Sequence, residues 1–112
     1  MGESSRPLDR HECTVEEHRD GRRVVFEIAG DLDAQSAPEF YSTYRLVVMD
    51  GARDIMIDLT AVPFLDSSGA AALVRANLLA ETYACSLSIE GVQPVVRRVL
   101  DIAGLSALLL NE

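Results

Sequence analysis

Basic side chains are scarce in this 112-residue chain, which has ten Lys and Arg against eighteen Asp and Glu. The formal net charge of −8 would repel a nucleic-acid backbone and an anionic membrane alike, so neither is expected as a partner. A neutral or basic protein surface fits better. Long apolar runs are also missing. None approaches the roughly 20 residues that span a bilayer, and the polar start Met1-Gly2-Glu3-Ser4-Ser5-Arg6 is not a secretory signal. The cytosol is the expected compartment.

Histidine occurs only at positions 11 and 18, both in the region of the first predicted strand. A serine hydroxyl is a weak nucleophile without an adjacent base, so serine catalysis lacks its partner. No Walker or dinucleotide glycine pattern occurs, and nucleotide hydrolysis therefore has no phosphate cradle. Cysteine is limited to Cys13 and Cys85. Two free, half-buried thiols are expected rather than a disulfide framework. His11, Cys13 and His18 do not converge on a metal, because alternation along a strand puts His11 and Cys13 on one face and His18 on the other.

What is present describes one soluble domain. The length suffices for a single core, and 48% hydrophobic with 25% charged residues is an ordinary globular balance. Residues 1–10 are polar and are expected to form a mobile tail. Cys13 to His18 alternates weakly as a strand, Asp20-Gly21 makes a hairpin turn, and Arg22 to Ala29 returns with Val24, Phe26 and Ile28 on one face. A helix follows to about Met49, with Asp33 or Ser36 as its cap and Phe40, Tyr44, Val47 and Val48 as its apolar stripe. Asp54 to Leu59 reads as a buried strand, ended by Pro63. Ala70 to Glu81 reads as a helix, Ala84 to Ile89 as a strand, and Pro94 to Ala103 as a helix with Val95, Val99 and Ile102 inward. Leu108 to Leu110 is a short last strand or an apolar hook. The fold class is α/β, with a mixed, mostly parallel sheet of four to five strands and about three helices.

The stretch that organises the chain is Val62-Pro63-Phe64-Leu65-Asp66-Ser67-Ser68-Gly69, where a strand gives way to a helix. If Asp66 caps that helix, Ser67 occupies its first position with the hydroxyl unoccupied. Gly69, without a side chain, would let another protein's active site approach the backbone closely. Right-handed crossovers bring the loops at 30 to 36, 60 to 67 and 90 to 94 to one end of the sheet, so Asp31, Asp33, Ser36, Asp66 and Ser67 share a face. Capping and turn formation account for each aspartate separately, so no metal or cofactor is assigned.

Phe64-Leu65-Asp66-Ser67-Ser68-Gly69 resembles the signature of STAS domains of the anti-sigma factor antagonist type. Ile28-Ala29-Gly30-Asp31-Leu32-Asp33, Ile57-Asp58-Leu59 and the run from Val96 to Leu105 match in the same order and spacing. The resemblance implies that Ser67 is a phosphoacceptor, that Asp33 contacts a kinase, and that Ser68 and Gly69 shape the docking loop. Asp31 and Asp66 belong to the same partner-binding set. The partners implied are an anti-sigma factor with serine kinase activity and a separate serine phosphatase. A ligand-sensing or scaffold STAS domain, or a small hydrolase, are the alternatives at this point.

Overall fold

The computed structural model describes residues 13–110; residues 1–10, expected as a tail, and His11 lie outside them. Strand β1 (Thr14–Asp20) turns through Gly21 into β2 (Arg23–Ala29), and Gly21 takes the positive φ of +64° that the turn requires. Helix α1 (Ala37–Met49), strand β3 (Asp54–Ala61), helix α2 (Ser67–Thr82), strand β4 (Ser86–Glu90) and helix α3 (Pro94–Ile102) follow. The sheet order is β1-β2-β3-β4, antiparallel between β1 and β2 and parallel across the rest. The mixed sheet and three helices agree with the expectation. Its uncertain fifth strand is a hook: a 3-10 turn at Ser106–Leu108 leads to a single bridge between Leu109 and Ile89.

The core lies between the sheet and its helices. Val24, Phe26 and Ile28 of β2, and Ile55, Ile57 and Leu59 of β3, are fully or almost fully buried, as strict alternation dictates. Helix α1 turns Phe40, Tyr44, Val47 and Val48 onto them. Phe26 meets Phe40 edge to face at 6.1 Å, and Tyr44 lies 5.8 Å from each ring. The Tyr44 hydroxyl donates to the Ala76 carbonyl at 2.8 Å, which joins α1 to α2, and burial raises its pKa well above the ordinary phenol value. The end of α1 is closed by Gly51 at φ +103°, with Ala52 N–H on Val47 O and Gly51 N–H on Val48 O.

Two local expectations need correction. Ser36, one of the two expected caps, stands at the N-cap position of α1, but neither it nor Asp33 caps the helix through its side chain. Instead Asp33 Oδ1 accepts from the N–H groups of Gln35 and Ser36 at 3.0 and 3.2 Å, and Ser36 Oγ donates to the Asp31 carbonyl at 2.8 Å. The two side chains stabilise the turn before the helix. On α3 the inward pair is Val96 and Leu100, both fully buried, while Val95 is 55% and Ile102 82% exposed and Val99 is half-buried. The helix carries two adjacent apolar stripes. The one continuous with buried Leu105 won, and Arg97, Arg98 and Asp101 are exposed as expected.

The opposite face of the sheet has no buried residue among those described. Register sets Glu16 beside Glu27, Glu27 beside Asp58 and Asp58 beside Glu90, so one row of carboxylates crosses all four strands. His18 is on this same face, 3.1 Å from Glu27 Oε1 and 3.8 Å from Glu16 Oε1. Cys13, on the helix side, comes near Ser36, so Cys13 and His18 diverge as alternation required. Both cysteines are free and half-buried, and desolvation raises the Cys13 thiol pKa.

Candidate functional site

The site forms where β2 and β3 end. Beyond the regular ladder, Gly30 N–H bonds to Ala61 O at 2.9 Å and Leu32 N–H to Phe64 O at 3.0 Å, and Leu32 pairs with Leu65 in a one-residue parallel bridge. Leu32 and Leu65 are both buried, so the two loops are fixed by packing as well as by backbone bonds. Asp31 and Asp33 stand on one loop and Asp66 to Gly69 on the other. The third loop rests one step away, where Gln93 Nε2 donates to Thr60 O at 3.0 Å and Gly91 lies against the Thr60 side chain.

Asp66 caps α2 as expected. Its backbone is extended, with φ −99° and ψ −172°, and its Oδ1 accepts from Gly69 N–H at 3.0 Å. Ser67 is therefore the first helical residue. It is exposed, and no hydrogen bond among the described residues engages its Oγ. Ser68 is half-buried behind it. Gly69 is buried, and its bare Cα faces the Leu32 carbonyl and Leu65, so the close approach that glycine permits is made by the chain itself. Replacing Asp66 with alanine removes the cap and a negative charge from the positive end of the helix. The expected loss is about 1 kcal/mol of unfolding free energy, measured by urea denaturation.

The chemistry available is that of an acceptor. His18 lies on the far face of the sheet, so no imidazole among the described residues stands beside Ser67. The exposed hydroxyl sits at a helix N-terminus, where free N–H groups and the helix dipole tolerate an anion. An open apolar groove of about 400 Å³ runs from Ser67 between α2 and α3, past Ala71 and Val74 on one side and Val99 and Ile102 on the other. Exposure of Ala71 and Leu78 leaves α2 with apolar surface of its own. Sequence reading missed the groove because it placed the α3 stripe inward. No helix among the described residues is long and apolar enough to cross a membrane.

The chain belongs to the STAS domain family: residues 15–111 match the family described as Mlab, STAS domain. It is 31% identical over 87 residues to the anti-sigma-B factor antagonist of Staphylococcus aureus, covering 77% of this chain and 81% of that protein. The Staphylococcus epidermidis protein of the same name is 29% identical over the same extent. Among solved structures, the unphosphorylated anti-sigma factor antagonist SpoIIAA superposes with a TM-score of 0.79 at 22% identity, over 87% of this chain and 86% of that one. An anti-sigma factor antagonist from Mycobacterium paratuberculosis gives 0.81 at 24% identity, over 92% and 89%. These structural likenesses concern the fold.

Proposed function

We propose that this chain is a cytoplasmic anti-sigma factor antagonist switched by phosphorylation of Ser67. The observation that carries the reading is the placement of Ser67: exposed, unengaged, first in a capped helix, and set in the motif Phe64 to Gly69. The names of the Staphylococcus relatives point the same way. In its unmodified form the chain binds an anti-sigma factor that is also a serine kinase, and a sigma factor is released. Phosphorylated, it lets go, and a serine phosphatase restores it. The chain itself catalyses nothing in this scheme and needs no cofactor.

The physics of the switch is local. A phosphoryl group adds about −1.5 to −2 charges at pH 7. The helix N-terminus accommodates that charge, so the fold persists. Asp66 on the same loop, and Asp31 and Asp33 on the loop bridged to it, already make the neighbourhood negative. A partner shaped to the unmodified loop must then desolvate a dianion without a cation to meet it. That costs on the order of 3 kcal/mol, about a hundredfold in affinity. Asp33 and Ser68 shape the contacting loops, and Gly69 fixes the distance between them.

The test is binding of Ser67→Ala and Ser67→Asp to an anti-sigma factor kinase from the same cell, followed by calorimetry. Ser67→Ala is expected to bind as the unmodified chain does and to resist release by ATP. Ser67→Asp should bind at least tenfold more weakly. Equal affinities for the two variants would reject the switch.

A further inference from the structure

The bare face of the sheet carries a side-chain cluster that the switch does not use. Glu16 and His18 are two apart on β1, so alternation sets both on this face, and the antiparallel register puts Glu27 of β2 directly opposite Glu16. His18 Nε2 is 3.1 Å from Glu27 Oε1 and 3.8 Å from Glu16 Oε1. One ligand atom from each of the three residues lies within 4.8 Å of the other two. All three side chains are exposed, so an ion reaches them from solvent without any rearrangement of the fold. The imidazole separates this set from a simple acidic patch. Two carboxylates set directly opposite on neighbouring strands repel each other. Asp58 of β3, beside Glu27, adds a third negative charge to the row. Among the described residues His18 is the sole cationic partner of Glu16 and Glu27, and it brings at most one positive charge against two negative ones.

We propose that Glu16, His18 and Glu27 bind one divalent transition-metal ion of the zinc class, held between β1 and β2. The donor set argues for the class. Zinc takes imidazole nitrogen and carboxylate oxygen at about 2.0–2.2 Å in a tetrahedral shell, which sets neighbouring ligand atoms about 3.3–3.6 Å apart. The two distances from His18 Nε2 already bracket that range. The remaining gap between the carboxylates closes by rotation of two exposed Glu side chains. Magnesium and calcium, which prefer oxygen throughout their shells, gain nothing from the imidazole nitrogen. Three protein ligands leave the fourth position to water, so the ion is held at a surface and not in a closed structural cage. Its effect follows from where it sits. β1 is an edge strand, and none of its residues is buried. An ion ligated from both strands fastens that edge to the sheet. The site is independent of Ser67, which lies at the other side of the fold.

The experiment titrates zinc chloride into the full chain, first stripped with a chelator, at neutral pH in a buffer that does not coordinate zinc. Calorimetry should show one equivalent bound with Kd below about 100 µM. Cobalt(II) in place of zinc should give ligand-field bands of tetrahedral intensity without a thiolate charge-transfer band. His18→Ala and Glu27→Gln are each expected to weaken binding at least tenfold. Both side chains are exposed, so both variants should melt close to the native temperature before zinc is added. Zinc should then raise the melting temperature of the native chain and slow amide exchange in β1, and do neither in His18→Ala. His11→Ala and Cys13→Ser are the controls, removing the other histidine and the nearest thiol in the sequence, and both should keep the native Kd. An undiminished affinity in His18→Ala, or a tenfold loss in either control, would overturn the site. So would failure to saturate by about 1 mM zinc, the mark of an adventitious ion only. Two chains per zinc would make the ion a bridge between molecules and overturn it equally.

Discussion

Gly69→Ala is expected to lower the unfolding free energy by about 2 kcal/mol, read from urea denaturation, despite placing a better helix former in a helix. Alanine gains up to about 1 kcal/mol over glycine in helix propensity. Overpacking a tight interior costs about 1–3 kcal/mol or more. The second effect wins here because of what the new methyl would meet. It would overlap the Leu32 carbonyl oxygen and come within 2.8 Å of Leu65 Cδ1. The Leu32 backbone cannot step aside cheaply, since its N–H is bonded to Phe64 O and its residue is paired with Leu65. Pushing the two loops apart also moves Asp31 and Asp33 away from Ser67, so binding of the anti-sigma factor should weaken along with the fold. A variant more stable than the native chain would show that the loops are not in close contact at this point.

Phe40→Ala should have the largest effect on stability, about 3–5 kcal/mol. Phe40 is fully buried and packs on Phe26 and Tyr44, the rings that seat α1 on the sheet. The gap left behind is walled by two other large rings and by strand backbone, which do not collapse into it. Against a total stability of about 5–15 kcal/mol for a domain of this kind, the variant would be marginal at 37 °C. Leu46→Ala on the same helix is the control. Leu46 is 62% exposed, and its loss should change stability by less than about 0.5 kcal/mol. Comparable losses at both positions would mean that α1 does not pack as described.

Much of this was legible where an element has one dominant period. Alternation at Val24, Phe26 and Ile28 and at Ile55, Ile57 and Leu59 fixed the faces of two strands, and the Phe40-Tyr44-Val47-Val48 stripe fixed α1. Asp66 was readable as a cap because a short oxygen acceptor precedes an unbroken helix former. Helix α3 was legible as a helix, but its inward face was not. Residues 95, 96, 99, 100 and 102 are all apolar, so periodicity offers two faces and only packing against the rest of the fold chooses between them. The groove beside Ser67 was hidden for the same reason. The turn bonds of Asp33 and Ser36 depend on a local competition between side chain and helix start that spacing does not resolve. Gly69 was read as open to another protein's active site, but it is buried and its neighbour proved to be Leu32, thirty-seven positions earlier, a contact set by the parallel bridge between loops.

The carboxylate row from Glu16 to Glu90 also governs how this molecule behaves in a crowd. A bare sheet surface with Val25 and Met56 at its middle is the kind of plane on which identical molecules layer into aggregates. Here any such layering would press one anionic ridge against another before the apolar middles could touch. No helix among the described residues covers this side of the sheet, and the carboxylate row lets it remain wet at high protein concentration.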